Sequence, residues 1–322
     1  MDSGEISLGE IRAARDRIAP HIQRTPLRPA GPKNLWLKCE NRQVTGSFKV
    51  RGALNRLLRL TDADAARGVV AASAGNHGMG VAYAARLRGC RATIVVPRGA
   101  IQRKVEGIRA LGADVKQVDG EYEAAEIEGL RLAQERAAVW VSPYNDPAVV
   151  AGQGTIGIEL AEDLARINAR GGYAVYVPVG GGGMVSGIGI ALRSALPSAR
   201  VIGVQPANSP YLHDFVHGHD LGRIVERPTL ADGLSGPVEA GSITYDLVRD
   251  VVDDMQLVSE EEIERAIVWA LGAGETVEPS AAVALAAGLR EVRGGERVVV
   301  LSGGNIDEDL LTRLIQRYGA AA

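Results

Sequence analysis

One lysine and three glycine-bearing loops hold the residues of this chain best suited to chemistry. Lys49 lies in Ser47-Phe48-Lys49-Val50-Arg51-Gly52, after the polar turn Gln43-Val44-Thr45-Gly46. It opens a helical pattern through Val50, Ala53, Leu54, Leu57 and Leu58. A cation at a helix N-terminus opposes the helix dipole, which favours the neutral amine, the form of lysine that makes imines. Gly180, Gly181, Gly182 and Gly183, followed by Met184, offer only backbone N–H groups ahead of a helix start, a cradle suited to phosphate. No Lys-Ser/Thr pair follows them and no G-x-G-x-x-G register fits, so neither a P-loop nor a dinucleotide fingerprint is present. Four consecutive glycines also exceed the need of a tight turn. Ser73-Ala74-Gly75-Asn76-His77-Gly78 can aim N–H donors at a carboxylate, although taken alone it reads as a plain N-cap. Leu301-Ser302-Gly303-Gly304-Asn305 sets a hydroxyl, Ser302, at a strand end, where a turn or cap is the plainer reading.

The elements that must position these loops alternate between strand and helix. Short segments at 69–72, 92–97, 114–118, 139–141, 173–179, 200–204 and 297–301, most of them apolar, read as strands. Helical spacing occupies 78–88, 101–111, 124–138, 184–194, 260–271 and 281–289. Such alternation predicts an α/β protein with mostly parallel sheets. Runs that are apolar throughout, such as 94–96 and 298–301, fit sheets covered on both faces. Ligands in these folds sit beyond the carboxyl ends of strands, which is where all three glycine-bearing loops fall.

Length and composition bound the function. A chain of 322 residues suggests two domains. The charge balance of 36 − 39 = −3 has no basic or acidic tail, which disfavours nucleic acid and lipid headgroups as partners. Cys39 and Cys90 cannot form a disulfide framework, and the start Met1-Asp2-Ser3-Gly4-Glu5 is no signal peptide; both favour the cytoplasm. The uncharged stretch 171–192 is long enough for a membrane span, but its glycines and Pro178 fit a strand, a loop and a helix start better.

Taken together, in order and with 149–155 (Val-Val-Ala-Gly-Gln-Gly-Thr) and Glu278-Pro279-Ser280, these motifs resemble the fold-type-II pyridoxal-phosphate enzymes. The likeness is to the serine/threonine dehydratase and serine racemase branch, from about residue 8 to 307. The resemblance implies two doubly wound parallel-sheet domains with pyridoxal 5'-phosphate between them: a large domain of 1–65 and 145–322 and a small mobile domain of 66–144. It makes Lys49 the Schiff-base lysine and the base at the substrate Cα. Gly180, Gly181, Gly182, Gly183 and Met184 become the phosphate loop, Asn76 the partner of the cofactor's phenolic oxygen, Ser302 that of the pyridine nitrogen, and Phe48 a neighbour of the ring. Ser73, Ala74, Gly75, Asn76 and His77 become the loop that holds the substrate carboxylate. The expected reaction is loss of water from a β-hydroxy amino acid, L-threonine or L-serine first, giving a 2-oxo acid and ammonia. Racemisation, or dehydration of hydroxyaspartate or phenylserine, is the alternative, and a non-catalytic cofactor-binding sensor is disfavoured because Lys49, Asn76 and Ser302 are all present. A homodimer or higher homo-oligomer is expected.

Four features refine the expectation. Alanine at 74 replaces the serine that serves racemases as second acid, which favours elimination. Gln205 and Tyr211 stand where the racemase divalent-metal site has acidic groups, so no such metal is expected. His213, His217 and His219 have a spacing that can bind zinc, but they fall in a variable loop of the family and read as surface or substrate-loop groups. Only 17 residues follow Asn305, too few for the effector domain of biosynthetic threonine dehydratases.

Overall fold

The computed structural model describes residues 6–31, 34–167, 172–290 and 295–319; the acidic start at residues 1–5 lies outside them. The first half of the chain forms α1 (Leu8–Ile18), β1 (Leu27–Pro29), β2 (Leu35–Lys38), α2 (Lys49–Leu57), α3 (Asp62–Arg67), β3 (Val69–Ala72), α4 (Asn76–Arg88), β4 (Ala92–Pro97), α5 (Gln102–Ala110), β5 (Asp114–Val118), α6 (Tyr122–Glu135) and β6 (Val139–Trp140). The second half forms α7 (Pro147–Ile167), β7 (Tyr173–Pro178), α8 (Gly183–Ala195), β8 (Ala199–Pro206), α9 (Tyr211–Val216), α10 (Thr244–Val251), β9 (Asp254–Val258), α11 (Glu260–Gly272), α12 (Pro279–Leu289), β10 (Glu296–Val300) and α13 (Glu308–Tyr318).

Two sheets result. One has six strands in the order β1-β2-β10-β7-β8-β9, parallel except for β1 against β2; the other is a parallel sheet ordered β5-β4-β3-β6. Val298, Val299 and Val300 are fully buried because β10 sits between two neighbours and under helices on both faces. The smaller sheet is covered likewise: Ala71, Ile94 and Val96 face one core and Val70, Ala72 and Val95 another. No helix among the described residues is long and apolar enough to cross a membrane; the described part of the uncharged stretch, 172–192, divides into β7, a loop and the start of α8.

Helix α2 joins the two sheets. Its apolar face (Val50, Ala53, Leu54 and Leu57) shares the core of the four-stranded sheet. Its other side meets α7, where Gly52 N–H donates to Gln153 Oε1 at 3.1 Å and Asn55 Nδ2 to Ala148 O at 2.7 Å. The approach is close enough that a Cβ on Gly152 would lie 2.6 Å from Arg51 O, which is why a helix of 21 residues tolerates glycine at its centre.

Candidate active site

Lys49 is the first residue of α2. Below it lies an ion cluster with almost no exposed surface: Arg51 bonds both oxygens of Glu40 and of Glu159, and Lys38 Nζ bonds Glu159. Arg51 is two residues from Lys49, so this cluster, with two positive and two negative side chains, ties the start of α2 to β2 and α7. Lys49 Nζ donates to Pro143 O at 3.2 Å and stands 5.2 Å from the centre of the Phe48 ring. Protein atoms surround the amine on nearly every side although it keeps some exposed area. Burial lowers its pKa from the usual lysine value to about 8, against an opposing pull from the charge of Glu278. The helix dipole was the reason read from the sequence; desolvation is the larger cause in the structure.

The glycine loop follows β7, and Gly182 has φ +85°, a left-handed conformation suited to glycine. A Cβ on Gly181 would lie 2.2 Å from the Tyr144 ring, and one on Gly182 2.8 Å from Val248. The loop is therefore pressed from behind by Tyr144 and α10. In front, the amides of Gly180, Gly181, Gly182, Gly183 and Met184 have no acceptor among the described residues; the first satisfied amide is that of Ser186, donating to Gly182 O at 3.0 Å. Phe48, Tyr144 and Met184 pack in one apolar cluster, which brings this loop to the side of Lys49.

The loop after β3 differs in detail from its sequence reading. Gly75, not Ser73 or Asn76, is the N-cap, and α4 begins at Asn76. Ser73 Oγ turns back to accept Gly75 N–H at 3.1 Å, which points it into its own loop. The Asn76 side chain is spent elsewhere: Nδ2 donates to Glu278 Oε1 at 2.6 Å and Oδ1 accepts from Asn305 Nδ2 at 2.7 Å. The amides of Ala74, Asn76, His77 and Gly78 find no acceptor among the described residues, an arrangement suited to a carboxylate. A Cβ on Gly80 would lie 3.2 Å from the Lys49 carbonyl carbon, so α4 and the start of α2 are in direct contact. His77 is buried, its Nε2 on Val141 O at 2.8 Å, and burial together with the charge of Lys49 lowers its pKa to about 3; it is a neutral donor.

Ser302 ends β10. Its carbonyl accepts Phe48 N–H at 3.0 Å, and its hydroxyl has no partner among the described residues. Glu278 had no role in the sequence reading. It caps α12 just ahead of Pro279, and burial raises its pKa to about 7 although Asn76 and Lys49 pull it down. The Glu-Pro pair, a proline at a first helical position, is the signal that could have placed it at a helix entrance. Tyr144 likewise had no role in the sequence reading, and its packing on Gly181 follows from tertiary structure alone. The histidines also come together: His213 and His219 both direct Nδ1 at Asp214 Oδ1, at 2.8 and 3.1 Å. His217, at the C-cap of α9, keeps to the same side as His213: its amide donates to His213 O at 3.1 Å and the two ring centroids lie 4.3 Å apart.

Comparison with known proteins places this geometry. The family described as pyridoxal-phosphate dependent enzyme matches residues 18–304. An L-threonine ammonia-lyase of Thermotoga maritima is 42% identical over 321 residues, covering 97% of this chain and 79% of that protein. The structure of maize serine racemase superposes with a TM-score of 0.85 at 34% identity, covering 97% of each chain. The processed form of threonine deaminase isoform 2 from Solanum lycopersicum gives 0.87 at 31% identity, covering 99% of this chain and 95% of that one.

Proposed function

The chain belongs to the pyridoxal-phosphate dependent enzymes, and from that membership we propose that it eliminates water from a β-hydroxy amino acid, L-threonine or L-serine, releasing a 2-oxo acid and ammonia. The relatives named for threonine ammonia-lyase activity support the reaction and the substrate. The observation that carries the reading is local. One buried, easily neutralised amine, Lys49, stands beside two helix starts whose amides are unpaired, and Ala74 offers no hydroxyl at the second of them.

The residues fit the cofactor. Five free amides at 180–184 match a phosphate, and the glycines leave no Cβ in the way. The Ser302 hydroxyl is free to meet a ring nitrogen, the second N–H of Asn76 Nδ2, beyond the one given to Glu278, can meet a phenolic oxygen, and the Phe48 ring the cofactor's flank. When bound, pyridoxal phosphate supplies the electron sink that makes a Cα proton acidic. The protein's own residues do the rest. The amides of Ala74, Asn76 and His77 hold the substrate carboxylate, with Ser73 and Gly75 shaping the loop. Lys49, as neutral amine, takes the Cα proton and holds it near the leaving hydroxyl. Glu278 fixes Asn76. We take the 66–144 unit, which carries α4, as the part that closes over substrate and excludes water.

Ala74 argues against the racemase reading. Inversion at Cα needs a proton from the face opposite Lys49, and the adjacent Ser73 hydroxyl is turned into its own loop. The test is the ratio of 2-oxo acid to D-enantiomer formed from L-serine and L-threonine. Elimination in large excess supports the reading, and comparable D-enantiomer overturns it. We further take the enzyme to be a cytoplasmic homodimer or higher homo-oligomer. Free thiols at Cys39 and Cys90 support the compartment, and sedimentation tests the assembly.

A further inference from the structure

From the side chains gathered at the end of β8 we propose a second site, in which His213, Asp214 and His219 bind one divalent transition metal of the zinc class. These three groups offer ligand atoms that all lie within 4.8 Å of one another. Nδ1 of His213 and Nδ1 of His219 lie 2.8 and 3.1 Å from the same oxygen, Asp214 Oδ1. Donor atoms around tetrahedral zinc, at metal–ligand distances of about 2.0–2.1 Å, are about 3.3 Å apart, so small side-chain rotations convert this cluster into a coordination shell. The proton balance is simple. In the complex each imidazole carries its proton on Nε2 and gives the Nδ1 lone pair to the metal, any proton on Nδ1 leaving to Nε2 or to solvent, and the carboxylate binds in its ionised form. Two imidazoles and one carboxylate leave a fourth position for water. Imidazole donors select zinc, copper or nickel over magnesium.

The surroundings hold the shell in place. The His217 ring packs on that of His213 with centroids 4.3 Å apart, and its Nδ1 is committed to His213 O at 2.8 Å. Gln205 Oε1 accepts the His213 amide at 2.7 Å. Gln205 and Tyr211, which replace the acidic groups of the racemase oxygen-ligand site, are not among the proposed ligands, so this is a different site with different chemistry.

The consequence is mechanical. Helix α9 carries His213 and Asp214, and its Leu212 would stand 3.2 Å from a Cβ on Gly182. Phe215 packs on Tyr245 of α10 with centroids 4.7 Å apart. A metal that joins His219 to α9 fastens the support behind the phosphate loop.

The test uses holoenzyme stripped by chelator, loaded with Zn²⁺ and gel-filtered, with metal counted by elemental analysis. The expected result is one Zn²⁺ per chain, a higher Tm on loading, and visible ligand-field absorption when Co²⁺ replaces Zn²⁺. His219→Ala and Asp214→Asn lose the metal and the shift in Tm. His219 is exposed, so its variant retains the fold, which the cofactor's absorbance and the circular dichroism verify. The proposal is overturned by retention of less than a tenth of an equivalent, by retention that both variants share, or by displacement of Zn²⁺ by millimolar Mg²⁺.

Discussion

Asn76 Nδ2 lies 2.6 Å from Glu278 Oε1, joining the first residue of α4 to the residue that caps α12. The carboxyl is raised to about pH 7 by burial. Between about pH 4.3, the usual glutamate value, and pH 7, the unfolded chain gives up this proton while the folded apoprotein keeps it. The folded state therefore loses stability as pH rises through that window. Glu278→Gln keeps an acceptor for Asn76 and removes the titration. Urea midpoints of the two apoproteins, compared at pH 5 and pH 8, are expected to move in the variant's favour as pH rises.

Lys49 titrates near 8 for the same reason with opposite sign, since burial disfavours its charged form. The neutral fraction grows as pH rises through that value. The rate of pyridoxal phosphate uptake by apoprotein, followed by absorbance, is expected to rise with a midpoint near pH 8 rather than at about 10.4, the usual lysine value. Glu278→Gln removes the neighbouring negative charge and moves the midpoint lower.

The buried cluster of Lys38, Glu40, Arg51 and Glu159 is charge-balanced only when complete. Glu159→Gln leaves the buried Lys38 ammonium without a carboxylate, since Arg51 keeps Glu40, and is expected to cost about 3–5 kcal/mol. Denaturant unfolding of the apoprotein measures it. Loss of activity at low temperature should be smaller than loss of stability, because Glu159 touches none of the reacting groups.

Gly181→Ala drives a Cβ to 2.2 Å from the Tyr144 ring. Overpacking of this kind costs about 1–3 kcal/mol. Because the strain falls on the phosphate cradle, we expect cofactor affinity to drop about tenfold, the equivalent of about 1.4 kcal/mol. Equilibrium dialysis with pyridoxal phosphate checks it, and Tyr144→Ala in the same chain should restore part of the loss.

Ala74→Ser supplies a hydroxyl where this chain has a methyl. The variant is expected to form D-serine from L-serine at a rate above wild type, with 2-oxo acid formation reduced. Chiral chromatography of the residual substrate reads both.

Much of this was legible in the sequence, for a physical reason. Strands buried on both faces write themselves as unbroken apolar runs, and 69–72, 92–97 and 173–179 match β3, β4 and β7. Two strands with polar members did not stand out. β2 contains Lys38, whose charge is met by Glu159 from a helix 121 residues away, and β9 begins Asp-Met-Gln. Helix α7 was hidden by Gly152, Gly154 and Gly157, which break helical propensity and exist because α2 and α8 approach closely there. Sheet order, with β10 inserted between β2 and β7, has no local signature. Within the site, the glycine loops announced themselves by composition. The Asn76–Glu278 bond depends on segments that meet only in the folded chain, whereas the histidines, within seven residues of one another, stood out as a local cluster.

The central claim is that Lys49 moves the proton that starts elimination. The direct measurement is 2-oxobutanoate release from L-threonine by the holoenzyme and by Lys49→Ala loaded with pyridoxal phosphate. The account predicts Lys49-dependent product, with a loss of about 10²–10⁴-fold in the variant, the range for removing a positioned acid–base group. Turnover by Lys49→Ala within tenfold of wild type, with cofactor bound, would contradict it.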